Sequence, residues 1–264
     1  MPIFENNGRN IHYVDVDNRN DKDTGIPLVL VHGAGSSHLS WSLQLRDLSK
    51  EYRMIAIDLS GHGQSDDIIG ELSIEEHFVN DLDALIRKLE IDDFVCVGHS
   101  MGGVVVMSYV LKETSRKPRA LVLVDTSSDI DLTKLGVGLA KDTIENRIRM
   151  FKDELFNRIT DTLQVKKAEA KILSANPMVM LRDLAACNKF DITDRVREID
   201  IPTFVIVGEN DDIITPALAA DFVKRFPRAD IAVVKNADHI PMVEQPEEFN
   251  RLFRKFITWV DNNS

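Results

Sequence analysis

Phe94-Val95-Cys96-Val97-Gly98-His99-Ser100-Met101-Gly102 is the stretch on which the reading of this chain turns. Phe94–Val97 is a continuous apolar run, the pattern of a strand covered on both faces. Gly103 to Leu111 follows with a helical pattern. Between them, Gly98–Gly102 has the form G-x-S-x-G, and strand–turn–helix is the context that motif needs to count as a nucleophile elbow. So sharp a turn strains its central residue, while small flanking residues let the backbone pass close to its neighbours. Ser100 then projects from a sheet edge at a helix start, where the helix dipole favours negative charge. The plainer alternative is a glycine-rich turn with an incidental serine; it loses ground as partners appear elsewhere in the chain.

Similar apolar runs recur on both sides: Leu28–Val31, Met54–Ile57, Ala120–Val124, Thr203–Val207 and Ile231–Val234. Helical patterns alternate with them. Ser73 to Leu89 carries Ile74, Phe78, Leu82, Leu85, Ile86 and Leu89 at one-face spacing, and Ser73 with Glu76 fits a capping box. The last helix carries Phe249, Leu252, Phe253, Phe256, Ile257 and Val260 on one stripe. Before the first buried run, Pro2–Asn6 and Arg9–Val16 flank the tight-turn pair Asn7-Gly8, a hairpin signal, and residues 17–25 are polar and turn-rich. The alternation predicts an α/β fold: a mostly parallel central sheet with helices on both faces and antiparallel strands added at one edge. Residues 127–189 break the pattern. They hold helical spacings such as Ile144, Ile148, Phe151, Leu155, Ile159 and Leu163 but no strand-like run, and are too long for a crossover. They are expected to form a helical cap inserted into a core domain made of residues 1–126 and 190–264.

The chain has 264 residues, enough for one large domain that holds a core without disulfides or metal. Lys plus Arg number 32 and Asp plus Glu 43, giving a formal charge of −11, which argues against a general nucleic-acid binder and against docking on an anionic membrane. With 44% apolar and 28% charged residues, the composition is that of a globular protein, not of a disordered chain. Two cysteines, Cys96 and Cys187, make neither a disulfide framework nor a metal cluster, and Cys96 lies within a buried run. No run approaches a membrane span and the N-terminus does not read as a secretory signal, so a cytoplasmic protein is expected.

A serine hydroxyl is a poor nucleophile until a base takes its proton. Of the seven histidines, His12 and His77 lie in the hairpin and an amphipathic helix, and His32 and His99 sit in turn motifs where bracing a loop is the simpler role. His239 lies in Asn236-Ala237-Asp238-His239-Ile240-Pro241, just past the Ile231–Val234 strand, at the sheet edge where catalytic groups collect. A carboxylate must orient that imidazole. Strand Thr203–Val207 runs into Gly208-Glu209-Asn210-Asp211-Asp212, so either Asp211 or Asp212 qualifies, with the other left to cap the next helix. Oxyanion donors are expected from the Met101 backbone N–H and from the loop His32-Gly33-Ala34-Gly35-Ser36, where Ala34 is the first choice and Gly35 the second. That loop lacks both the dinucleotide glycine spacing and the Walker lysine, and no metal-ligand spacing stands out, so no cofactor and no metal are expected.

Taken together, His32-Gly33-Ala34-Gly35, Asp58-Leu59-Ser60-Gly61-His62-Gly63-Gln64-Ser65, Gly98–Gly102, Gly208–Asp211 and Asp238-His239 resemble the α/β-hydrolase superfamily over most of the chain outside the cap. The likeness is nearest to capped esterases, enol-lactonases and proline-iminopeptidase-like members; a dehalogenase would carry aspartate at position 100. It implies Ser100 as nucleophile, His239 as general base, and Met101 and Ala34 as oxyanion donors. Counting from Gly208 makes Asp211 the acid, and counting back from Pro216 makes it Asp212; the strand end favours Asp211. The implied activity is hydrolysis of carboxylic esters, thioesters or lactones through an acyl-enzyme. The alternatives are a small-molecule receptor of the same fold with little turnover, or a cofactor-free perhydrolase. The expected partner is a small ester-type molecule, neither a nucleic acid nor a membrane, with Met150, Met178 and Met180 as candidate pocket linings.

Overall fold

Each apolar run becomes a strand. A computed structural model describes residues 2–21, 25–112, 116–130 and 177–263. Among these residues the strands are β1 (Ile3–Asn6), β2 (Arg9–Val16), β3 (Leu28–Val31), β4 (Met54–Ile57), β5 (Val95–His99), β6 (Ala120–Val124), β7 (Thr203–Gly208) and β8 (Ala229–Val234). They form one eight-stranded sheet in the order β1-β2-β4-β3-β5-β6-β7-β8. From β4 to β8 every pairing is parallel, while β1 and β2 join antiparallel at the β4 edge, as the Asn7-Gly8 turn implies.

Successive residues of a strand face opposite ways, and the sheet sorts them accordingly. Leu28, Leu30, Met54, Ala56, Val95 and Val97 are buried in one cluster with Trp41, Leu48, Phe249, Phe253 and Ile257, which belong to the α1 (Ser42–Leu48) and α6 (Pro246–Asn262) side. Val29, Val31, Ile55, Ile57 and Cys96 face the other cluster. There they meet Phe78, α2 (Asn80–Lys88), α3 (Met101–Leu111) and α5 (Pro216–Val223) through Leu82, Leu85, Val105 and Phe222. Because helices cover both faces, β3 to β7 are buried throughout and read as unbroken apolar runs, whereas β8, at the sheet edge, fully buries only Val234. The parallel strands all end on one edge, and β3 lies between β4 and β5, so strand order reverses beside it. Such a switch point leaves a crevice outside the strand ends.

The pattern from Ser73 to Leu89 is not one regular helix. Ile74–Val79 forms a π-helical turn that passes into α2. Ser73 Oγ accepts the Glu76 N–H at 3.2 Å, but the returning half of the expected capping box is absent: the Ser73 N–H donates to His77 Nδ1 at 3.2 Å. The wider π turn brings the residue four positions on, rather than three, under the cap.

Of the expected cap, residues 131–176, with Met150 and the whole Ile144–Leu163 stripe, lie outside the described residues. What flanks them is described. Asp129 forms an antiparallel bridge with Asp191, the Ile192 N–H donates to Ser128 O at 3.0 Å, and the Ser128 and Thr193 hydroxyls are 3.0 Å apart. The backbone just past β6 and the backbone after Phe190 thus lie side by side. α4 (Pro177–Cys187) comes just before the second of these, with Ala186 and Cys187 buried.

Candidate active site

Ser100 stands between β5 and α3 with φ +51° and ψ −118°, a conformation L-residues rarely adopt. The elbow tolerates it because glycines flank it. A Cβ on Gly98 would fall 2.3 Å from Gly102 O, and one on Gly102 would fall 2.3 Å from Val31 O. The glycines therefore let the turn close on itself and let α3 start against β3, which carries the Ser100 side chain to the strand-end crevice.

His239 is supplied by the segment after β8. Its Nε2 lies 3.1 Å from Ser100 Oγ, and its Nδ1 lies 2.7 Å from Asp211 Oδ2. Asp211, three residues past the end of β7, is buried; Asp212 is exposed. The geometry therefore brings Asp211, and not its neighbour, to the imidazole. The expectation that one aspartate caps the next helix fails. Asp211 Oδ1 instead accepts the N–H groups of Ile213 (2.8 Å) and Ile214 (3.0 Å), and α5 is capped by Thr215, whose Oγ1 accepts the Leu218 N–H at 3.3 Å. An ionised Asp211 only accepts, so the imidazole proton sits on Nδ1 and leaves Nε2 facing the serine hydroxyl. Burial by itself pulls the His239 pKa down, but the Asp211 charge and hydrogen bond, with Glu244 and Asp212 adding, outweigh it and leave the pKa above the ordinary histidine value. Burial likewise pushes Asp211 up, yet the His239 charge and hydrogen bonds hold it down at about 2.

Several side chains steady this line, and sequence reasoning singled out only one of them. His99 Nε2 donates to His239 O at 2.7 Å, the bracing role expected of it; burial lowers its pKa to about 3, so it is a neutral donor. Glu244 accepts from the backbone N–H of Asp238 and, at 3.2 Å, of Ile240, gripping the chain on both sides of His239. Burial raises the Glu244 pKa to about 7. Asp125, one residue past β6, is fully buried; its Oδ1 accepts the Gly208 N–H at 2.9 Å and its carboxyl meets that of Asp211. Burial first, and the Asp211 charge second, push the Asp125 pKa far up. Of the two facing carboxyls, Asp125 is therefore the one biased toward its neutral form. The signal for Asp125 was in the sequence: it ends an apolar run, as Asp211 nearly does.

The turn after β3 closes with the Ser36 N–H on Gly33 O at 3.3 Å. Among the described residues, no protein acceptor pairs with the Ala34 or the Met101 N–H, whereas the Gly35 N–H is taken by Asp183 Oδ2 at 2.9 Å. That removes Gly35, the second choice, as an oxyanion donor. His32, also read as a brace, donates from Nδ1 to Gly33 O (2.8 Å) and accepts the Leu59 N–H at Nε2 (3.2 Å). In the loop after β4, Asp58 accepts from both His12 Nδ1 and His38 Nδ1 at 2.8 Å. Of the candidate pocket methionines, Met180 lies against Gly35 and Met178 is 56% exposed.

Two clusters among the described residues have metal-ligand composition, His12–His38–Asp58 and Asp125–Asp211–His239, each with ligand atoms within 4.8 Å of one another. In both, hydrogen bonds already join members of the cluster: His12 Nδ1 and His38 Nδ1 with Asp58, and His239 Nδ1 with Asp211. No helix among the described residues is long and apolar enough to cross a membrane.

A sequence model of the alpha/beta hydrolase family matches residues 28–252. Among solved structures, a malate-bound thermophilic esterase from Thermogutta terrifontis is similar with a TM-score of 0.81 and 27% identity, covering 98% of this chain and 97% of that one. A pimeloyl-[acyl-carrier protein] methyl ester esterase from Nitrosospira multiformis is 26% identical over 85% of this chain and 92% of its own length. A non-heme haloperoxidase from Rhodococcus erythropolis is 29% identical over 82% of this chain and 84% of its own length.

Proposed function

The chain belongs to the alpha/beta hydrolase family, and on that premise we propose that it is a carboxylic ester hydrolase working through Ser100, His239 and Asp211. The observation that carries this reading is the unbroken hydrogen-bonded line Asp211–His239–Ser100, ending on a strained serine at a helix start. His239 Nε2 takes the hydroxyl proton as Ser100 Oγ bonds to the ester carbonyl carbon. Asp211, held by the Ile213 and Ile214 N–H groups, stabilises the imidazolium that results. The carbonyl oxygen becomes an oxyanion, received by the Ala34 and Met101 N–H groups. The carbon–oxygen bond of the leaving alcohol then breaks, and the alcohol departs with the proton from Nε2. Water, deprotonated by the same nitrogen, attacks the acyl-enzyme, and the acid leaves as Ser100 recovers its proton. No metal or redox group enters any step.

The test is direct. The protein is expected to turn over short-chain nitrophenyl esters many times. An alkyl phosphonate is expected to stop it and to add its mass to the peptide containing Ser100. Label on another residue, or hydrolysis untouched by the phosphonate, overturns the assignment.

The haloperoxidase relative favours a second reading of the same site, in which hydrogen peroxide replaces water and the acyl-enzyme yields a peracid. Peroxide-dependent oxidation of a dye in acetate buffer is the expected signature. Its absence, with ester hydrolysis intact, leaves hydrolysis alone.

A further inference from the structure

We propose that Asp183, on α4, is a positioning residue for ester hydrolysis that fixes the oxyanion turn over Ser100; this rests on the reading just given. The turn Gly33–Ser36 runs directly against the nucleophile: a Cβ on Gly33 would fall 3.2 Å from Ser100 Cβ and 2.8 Å from His99 Nδ1. α4 reaches this turn from 148 residues away in sequence. Its Asp183, fully buried, accepts the Gly35 N–H at 2.9 Å, and its Met180 packs where a Cβ on Gly35 would fall 2.9 Å away.

Asp183 is itself held. His62 Nε2 lies 2.7 Å from the same Oδ2, and the far ring nitrogen of His62 donates to Ser60 O at 3.1 Å. This contact ties the carboxylate to the loop after β4. Arg182, the preceding residue, pairs with Asp67 of the same loop at 2.6 Å. The helix that ends the insertion is thus anchored on the β4 loop and presents one carboxylate oxygen to the turn. By engaging the Gly35 N–H, Asp183 holds the Ala34–Gly35 peptide, and through Ala34 it limits how the preceding peptide, which bears the Ala34 N–H, can turn. A donor aimed at developing charge is effective only when prepositioned, and a misplacement of about 1 Å costs about a hundredfold in rate.

The experiment compares wild type, Asp183→Ala and Asp183→Asn by steady-state kinetics on one nitrophenyl ester and by inhibition with a boronic acid, which mimics the tetrahedral state. Asp183→Ala is expected to lower kcat by about 10-fold to 100-fold with KM within about threefold, and to weaken boronate inhibition in proportion. Asp183→Asn keeps an acceptor for Gly35 and is expected to recover most of kcat. Asp183→Ser, a polar replacement whose Oγ ends short of the point where Oδ2 meets both Gly35 and His62, repeats the test if the alanine variant does not fold, with the same loss expected. A kcat within twofold of wild type in the alanine or serine variant, a loss confined to KM, or an asparagine variant as slow as alanine overturns the proposal. Failure of the underlying reading looks different: wild type itself is then neither labelled at Ser100 by phosphonate nor inhibited by boronate.

Discussion

Ser100→Ala is expected to lower kcat on a nitrophenyl ester by about a millionfold, the scale seen when the nucleophile of a Ser-His-Asp set is removed. The loss is that large because the rest of the line has nothing to act on. His239 Nε2 sits 3.1 Å from Ser100 Oγ, whose proton it is there to take. About a thousandfold advantage over water is expected to survive, from the oxyanion donors and substrate binding alone. KM is expected to change little and the fold not at all. The alanine methyl retains the Cβ, although it inherits the φ of +51° at the elbow. Steady-state kinetics on protein free of contaminating esterase, with unfolding by urea alongside, measure both. A variant retaining more than about a hundredth of wild-type kcat would remove Ser100 from the mechanism.

The second large effect is expected at Asp211→Asn, a loss of about ten-thousandfold in kcat near neutral pH. The amide can donate to Nδ1 where the carboxylate accepted, which favours the tautomer with its proton on Nε2 and turns the base away from the hydroxyl. The pH profile adds a sign. His239 works as a base only when neutral, so kcat/KM is retained above its pKa and lost as pH falls through it. In wild type the pKa is raised, with burial opposing and Asp211 prevailing, so the acid limb is expected above the ordinary histidine value of about 6.5. In Asp211→Asn burial prevails, and the residual activity is expected to persist to lower pH than wild type. An acid limb unmoved, or moved upward, contradicts the pairing of these two residues.

Much of this was legible because the sheet is covered on both faces. Continuous runs such as Leu28–Val31 and Thr203–Val207 mark parallel strands, and their ends mark the edge where Ser100, Asp211 and His239 meet. The choice between Asp211 and Asp212 was not legible beyond the strand end, because it depends on which of two adjacent side chains the β7 exit buries. Asp125 escaped notice although it follows the same rule, since a triad needs one acid and Asp211 already filled the place. Asp183 carried no local mark: it is one aspartate in a helix, and its meaning comes from Gly35 and His62, more than a hundred residues away. The capping box at Ser73 misled because the pattern presumes α spacing, and the turn there is π.

The bridge between Asp129 and Asp191 has a broader consequence. It fastens the backbone just past β6 to the backbone that leads back toward β7, so that these two points keep a fixed spacing beside the sheet. Lengthening or shortening the sequence within residues 131–176 is therefore expected to leave β6 and β7 in place, and with them the acid–base pair, provided that α4 and its Asp183 are kept. A graft from a relative is best confined to that stretch, where a change in selectivity can be sought while the hold of Asp183 on Gly35 is kept.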